Sequence, residues 1–104
     1  MPNQNEFEQA TNYYRNLLEE EPHNPGIHLK LGQALLKQQD FSAAITAYQR
    51  AIELNSNNAK FYQALGDAHL RAKNPTEAIA AYQKAIELNP ILEQTTISRN
   101  TSLK

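Results

Sequence analysis

The three histidines, His23, His28 and His69, are the residues of this sequence to consider first as metal ligands. A helical metal site places its ligands one turn apart on one face, as in an i, i+4 pair. These histidines are too scattered for that spacing, and His69 falls on an apolar stripe, which is typical of a packed core histidine. The sequence contains no cysteine, so a thiolate site and a disulfide are both excluded. No metal or other cofactor is predicted.

Glutamates occur consecutively at Glu19, Glu20 and Glu21, and two neighbouring carboxylates are a candidate for a catalytic acid–base pair. Neighbouring residues of a helix point in different directions, so these side chains do not converge on one substrate atom. The sequence also lacks a nucleophile elbow, an H-E-x-x-H motif and a Gly-rich phosphate loop, and it has only 3 glycines. We therefore predict that the chain is not an enzyme.

The 5 tyrosines raise the question of a stacking surface for single-stranded nucleic acid. Tyr14, Tyr48 and Tyr82 instead fall at helical positions typical of packing residues. Lys and Arg number 10 against 11 Asp and Glu, which gives a net charge of −1 and no general attraction for phosphate or anionic lipid. The sequence has neither a bilayer-spanning apolar run nor an apolar signal in its first ten residues. We expect no nucleic-acid or membrane partner and a cytoplasmic location.

An internal repeat organises these residues. The segment 44–55 returns almost unchanged 34 residues later as 78–89. A Leu-Gly pair that begins at Leu31 returns at Leu65, with the same offset of 34. A period of this length indicates a stacked repeat architecture rather than a single closed core.

Amphipathic spacing of apolar residues at three and four predicts five helices. The predicted helices span residues 5–20, 25–38, 41–54, 59–72 and 75–88. Asn24 and Asp40 are predicted to cap the second and third helices, and Asn74 to form a capping box with Glu77 at the start of the fifth. Residues 91–104 are rich in Thr, Ser and Asn, which predicts a weak, partly helical cap followed by a frayed tail.

Glycine recurs inside two of these helices, at Gly32 and Gly66. A glycine in a helix interior costs roughly 1 kcal/mol relative to alanine. Its recurrence at the repeat offset predicts that two helices approach there too closely for a Cβ atom.

The repeat resembles the tetratricopeptide repeat family. The residues that carry the resemblance in the first complete repeat are Leu31, Gly32, Ala44, Tyr48 and Ala51, whereas His28 and Ser56 stand at two further family positions and depart from the pattern. In the second complete repeat they are Tyr62, Leu65, Gly66, Ala78, Tyr82, Ala85 and Pro90, and in a preceding half-repeat Ala10, Tyr14, Leu17 and Pro22. The resemblance implies an all-α fold, an α-solenoid of antiparallel helix pairs with about two and a half repeats. Its domain would cover residues 1–92, with a half-repeat at 5–24 and repeats at 25–58 and 59–92, followed by a polar tail or partial capping helix at 93–104.

The resemblance also implies a concave groove that binds a segment of a partner protein. Carried onto this sequence, the family's groove positions fall on Leu29, Gln33, Leu36, Lys37, Lys60, Gln63, Asp67, Leu70 and Arg71. A lining of leucine, glutamine and a few cations suits a peptide with apolar anchors and some acidic character. The alternative is that these are ordinary solvated helix residues, with Leu36 and Leu70 packing locally.

A protein-interaction module or scaffold is therefore the leading functional hypothesis. A second hypothesis is assembly, because the ends of a solenoid expose apolar edges unless they are capped. On that hypothesis the chain forms a homo-oligomer through its solenoid ends, or it is a fragment of a larger protein, including one with an enzymatic domain.

Overall fold

Five α-helices form the described part of the chain, residues 4–90 of a computed structural model, and that part contains no strand. The helices are α1 (Gln4–Glu20), α2 (Pro25–Lys37), α3 (Phe41–Leu54), α4 (Ala59–Arg71) and α5 (Pro75–Leu88). Each begins and ends within one residue of the predicted positions, and the predicted all-α class is confirmed. The predicted cap or tail at 91–104 lies outside the described residues.

Side-chain caps explain where three of the helices begin. The Asn24 side chain accepts a hydrogen bond from the Gly26 amide at 3.0 Å, which satisfies a free donor at the start of α2. Asp40 accepts from the Ala43 amide at 3.4 Å, so both of these predicted caps are confirmed. Asn58 caps α4 in the same way, with its side chain accepting a hydrogen bond from the Lys60 amide at 2.9 Å.

The predicted capping box at Asn74 is wrong. Its side chain makes no capping hydrogen bond. Its backbone amide donates a hydrogen bond to the His69 carbonyl at 2.8 Å. That amide is therefore not available to the Glu77 side chain, as the capping box would require. Helix α5 still begins here because Pro75 at the first position has no amide hydrogen to satisfy and has a helical φ.

The turns inside the two helix pairs close in the same way. Gln39 and Lys73, 34 residues apart, adopt positive φ angles of 66° and 67°. In the first turn the amide of Gln39 donates to the Leu36 carbonyl at 2.9 Å, and that of Asp40 to the Leu35 carbonyl at 3.0 Å. These are the two bonds of a Schellman motif, which ends a helix and reverses the chain. The repeat in sequence is thus a repeat in backbone conformation.

Successive helices pack antiparallel to form a stack. Each helix contacts the next, and α2 also contacts α4 directly. Among the described helices, no Cα atom of α1 lies within 8 Å of one in α3, and none of α3 within 8 Å of one in α5. Direct contact between the first helices of neighbouring pairs places α2 and α4 on the inner side of the stack. This is a helical solenoid, as the repeat predicts.

Two clusters of buried side chains hold the stack together. The inter-pair cluster, which joins α2 and α3 to α4, consists of Leu29, Tyr48, Ala51, Phe61 and Ala68. The intra-pair cluster, between α2 and α3, consists of Leu31, Leu35, Ala44 and Ala47, and Tyr14 and Leu18 of α1 pack against it. Alanines supply much of both clusters, so neighbouring helices lie close together.

Both helical glycines lie under a tyrosine ring. A Cβ atom at Gly32 would lie 2.6 Å from Cδ1 of Tyr48, and one at Gly66 would lie 2.6 Å from Cε1 of Tyr82. Carbon atoms do not approach this closely without a shift of the neighbour. The predicted need for glycine is confirmed, and its cause is a side chain of the following helix rather than that helix's backbone.

The two asparagines that precede α4 and α5 give a matched test of capping. Asn58→Ala removes a side-chain bond to the Lys60 amide, 2.9 Å long, and should lower the free energy of unfolding by about 1 kcal/mol. Asn74→Ala should have a much smaller effect, because the Asn74 side chain makes no capping bond. Urea unfolding followed by circular dichroism measures both. Equal losses would contradict this assignment of the caps.

Candidate functional site

The predicted groove residues all lie on α2 and α4, the two helices of the inner side. The exposed ones are Gln33, Lys37, Lys60, Asp67, Leu70 and Arg71. Leu36 and Gln63 are half-buried, and Leu29 is buried. The inner side therefore presents a mostly polar surface on which Leu70, 55% exposed, is the prominent apolar side chain.

Leu29 belongs to the core, and its prediction as a groove residue is corrected here. It is only 9% exposed and belongs to the inter-pair cluster with Tyr48 and Phe61. The repeat offset pairs Leu29 with Gln63, but α4 covers the first of these positions. A side chain at this depth stabilises the stack and offers no area to a partner.

Leu36 has two roles. It is half-buried and packs against both the inter-pair and the intra-pair cluster. Its substitution would therefore change stability as well as the surface. Leu70, at the same position of the next repeat, is far more exposed and is the better probe of binding.

Two of the predicted residues line a small cleft between α1 and α2. This α1–α2 cleft has a volume of about 110 Å³. Its lining residues are Phe7, Ala10 and Tyr14 from α1 and Lys30, Gln33, Ala34 and Lys37 from α2. An apolar wall on one helix thus faces a wall with two lysines on the other.

Two other predicted residues, Lys60 and Gln63, line a second and wider cleft of about 540 Å³ at the start of α4. Its other lining residues are Asn55, Asn57, Asn58, Ala59, Leu88 and Asn89. The Asn58 side chain in this wall already accepts a hydrogen bond from the Lys60 amide. Four of the nine predicted groove residues therefore line clefts, at two separate places on the stack.

The end of α4 carries a charged cluster that touches both repeats. The hydroxyl of Tyr82 donates a hydrogen bond to Oδ1 of Asp67 at 2.5 Å. The guanidinium carbon of Arg71 lies 5.8 Å from the centroid of the Phe41 ring, within the range of a cation–π contact. Asp67 and Arg71 are thus held in place by α5 and α3, on either side of their own helix.

This cluster adds to the effect of burial on the pKa of two tyrosines. Burial, followed by the negative charge of Asp67, raises the pKa of Tyr48 to about 12, and Arg71 opposes the shift. Burial, followed by the hydrogen bond to Asp67 and its charge, raises the pKa of Tyr82 to about 12. Both shifts favour the neutral phenol in the folded protein.

Alkaline titration should reveal this coupling. Because the pKa of each tyrosine rises from 10.0 to about 12 on folding, its contribution to stability is complete below pH 10 and is lost as the pH passes through 12. Asp67→Asn should lower the pKa of both tyrosines, and phenolate absorbance during titration measures the change. Glu77→Gln, at an exposed site of α5, is the control. An unchanged titration of Asp67→Asn would exclude the proposed coupling.

An apolar cleft on the other side of α2 was missed by the sequence analysis. It has a volume of about 490 Å³. Its lining residues are Arg15, Leu18, His28, Leu31, Leu35, Ala43, Thr46, Ala47 and Arg50. The only signal in the sequence was the small size of Ala43 and Ala47 beside the leucines of α2. Arg50 in this wall is also bonded to Glu53 at 3.2 Å.

Within residues 4–90, no helix is long and apolar enough to cross a bilayer, and no group of three or more metal-ligating side chains comes together. The geometry of these residues provides exposed helix faces and open clefts on a stack of helices.

Comparison with known proteins agrees with this architecture. The family model of the tetratricopeptide repeat matches residues 3–59 and 29–90. A crystal structure of MamA is 30% identical, with 84% of this chain and 51% of that one covered, at a TM-score of 0.76. MamA of MSR-1 is 26% identical, with 81% and 48% covered, at a TM-score of 0.77. Comparison with curated protein sequences gives no match.

The chain thus spans about half the length of the solved structures that it resembles. The family match covers almost all of the five helices, and its period agrees with the shared turns and the shared glycine–tyrosine contacts. This chain belongs to the tetratricopeptide repeat family.

Proposed function

We propose that the chain is a protein-interaction module that binds a segment of a partner protein on the inner side of the stack, across α2 and α4. The observation that carries the proposal is the exposed Leu70 beside Arg71 at the end of α4. Leu36 and Lys37 repeat this pair at the end of α2, the neighbouring inner helix. Two apolar and cationic pairs on adjacent helices form a surface with a regular spacing.

The chemistry of these pairs selects the partner. Leu70 offers apolar area to an aliphatic or aromatic side chain. Lys37 and Arg71 favour acidic residues near that anchor, mainly by increasing the association rate and by excluding basic segments. Asp67 accepts the Tyr82 hydroxyl, which partly satisfies its carboxylate. The partner segment is therefore expected to combine an apolar anchor with acidic residues.

A pair of double variants tests the proposal. Leu70→Ala with Arg71→Glu should weaken capture of the partner at least about tenfold, because it removes an apolar contact and reverses a charge. Tyr13→Ala with Lys84→Glu likewise removes an exposed side chain with apolar area and reverses a positive charge, at positions of α1 and α5 outside the proposed surface, and should leave capture unchanged. Affinity capture from an extract of the source cell, with quantitative mass spectrometry, compares the two. A partner that both variants retain equally would argue against binding on the inner side.

Self-association is a second candidate, favoured by the exposure of Ile79. This residue of α5 is 56% exposed, whereas its repeat equivalent Ile45 packs against the inter-pair cluster, where α4 covers it. The end face of α5 thus lacks a covering helix in the described part of the chain. Light scattering should then show a mass that rises with concentration, and Ile79→Glu should abolish the rise. A monomer mass at every concentration would exclude this candidate.

A further inference from the structure

The second helices of this stack carry a tyrosine at one recurring position, Tyr14, Tyr48 and Tyr82. In the two complete pairs, that tyrosine lies on a glycine of the first helix, at Gly32 and at Gly66. Tyr14 occupies the equivalent position on α1, and within residues 4–90 no helix precedes α1. Tyr14 therefore lacks the glycine contact that both of its equivalents make.

Burial around α1 shows the same difference. Ala44 of α3 is 0% exposed and Ala78 of α5 is 1% exposed, because each is covered by the first helix of its own pair. Their equivalent, Ala10, is only half-buried and lines the α1–α2 cleft with Phe7. The α1–α2 cleft thus corresponds to the place where, in a complete pair, the first helix packs against the second.

The opposite wall of the cleft gives it a charge. Lys30 and Lys37 of α2 are exposed and line the cleft, and its lining includes no acidic residue. Their equivalents on α4 are Ala64 and Arg71. An occupant of the cleft would therefore meet two positive charges along one side.

We propose that the α1–α2 cleft binds an amphipathic helix of a partner protein, which packs against Ala10 and Tyr14 as the first helix of a complete pair packs against the second. The helix carries a glycine, preceded by a leucine as in the two complete pairs, opposite Tyr14, and acidic residues opposite Lys30 and Lys37. A larger residue opposite Tyr14 is excluded for the same reason as at Gly32, where a Cβ atom would meet the ring. The cleft shares Gln33 and Lys37 with the proposed inner surface but depends on α1, which that surface does not include.

A stapled helical peptide provides the probe. It copies α4 (Ala59–Arg71), including its Leu-Gly-Asp segment, with the lysine, histidine and arginine replaced by glutamate. Titrated into the full chain labelled with ¹⁵N, it should shift the amide signals of Ala10, Tyr14 and Lys37 in a saturable manner. Replacement of the peptide's glycine by leucine should weaken binding at least about tenfold, because that side chain would meet the Tyr14 ring.

Two protein variants locate the site. Lys30→Glu with Lys37→Glu, both at exposed positions, should keep the circular dichroism spectrum and weaken binding at least about tenfold. Leu70→Ala with Arg71→Glu should bind the peptide as the original chain does, even if it loses the partner of the inner surface. The proposal is overturned if the peptide causes no saturable shifts, if the leucine peptide binds equally well, or if the Leu70 and Arg71 variant also loses the peptide.

Discussion

Replacement of Gly32 by alanine should destabilise the fold by about 2 kcal/mol or more, even though alanine is the better helix former by about 1 kcal/mol. The new Cβ atom would lie 2.6 Å from Cδ1 of Tyr48 and closer still to Cε1. Tyr48 is only 1% exposed and is enclosed by the inter-pair cluster, so its ring has no free space to enter. The strain therefore spreads to the contact between α2 and α3. Urea unfolding followed by circular dichroism measures the loss.

Gly66→Ala is the matched control for this substitution. Its Cβ atom would approach Tyr82 almost as closely, at 2.6 Å from Cε1. Tyr82 is half-buried, however, and no described helix covers it from the outer end of the stack. Its ring can move away at the expense of its bond to Asp67, so the expected loss is below about 1 kcal/mol. Equal losses at the two glycines would contradict the role of enclosure.

A double-mutant cycle separates the clash from helix propensity. In a Tyr82→Ala background the ring is absent, so Gly66→Ala should stabilise the chain by up to about 1 kcal/mol through propensity alone. The sign of the effect thus reverses between the two backgrounds. A loss in both would mean that something other than the ring requires glycine there.

These contacts show where sequence reasoning succeeds. Apolar spacing and capping residues predicted the bounds of all five helices to within one residue. This worked because caps such as Asn24 and Asp40 bond to amides two or three residues away, which the sequence shows directly. The recurrence of Gly32 and Gly66 predicted a close approach between helices but not which residue lies against each glycine. Every position of the repeat recurs at the same offset of 34, so the offset alone does not identify the contacting side chain. The capping box predicted at Asn74 does not form, because the Asn74 amide already donates a hydrogen bond to the His69 carbonyl within the turn.

The candidate surface was harder to predict, for a physical reason. A repeat frame assigns the same role to Leu29 and Gln63, but burial depends on what lies over each position, and α4 covers only Leu29. The repeat frame also does not predict clefts between helices of different pairs. The meeting of Tyr14 with Lys37 across the α1–α2 cleft follows from packing rather than from spacing within one helix.

The second large effect is expected at Phe61. Phe61→Ala should lower the free energy of unfolding by about 3–5 kcal/mol, because the side chain is buried and its removal leaves a cavity. Phe61 belongs to the inter-pair cluster, in which it joins α4 to Leu29 of α2 and Tyr48 of α3. Urea unfolding of the variant measures the loss. Tyr62→Ala, at the half-buried neighbouring position, should cost clearly less.

The position of Phe61 predicts more than a loss of stability. In a stack of repeats, each unit is stabilised by its own packing and by the interface with its neighbour. Phe61→Ala weakens the interface between α3 and α4 while it leaves the intra-pair cluster intact, so the two pairs should no longer unfold together. The urea transition should then broaden, with a lower slope, and the amides of α4 and α5 should exchange faster than those of α2 and α3. A transition that shifts to lower urea with an unchanged slope would instead show that the remaining contacts of α3 with α4 suffice to couple the pairs.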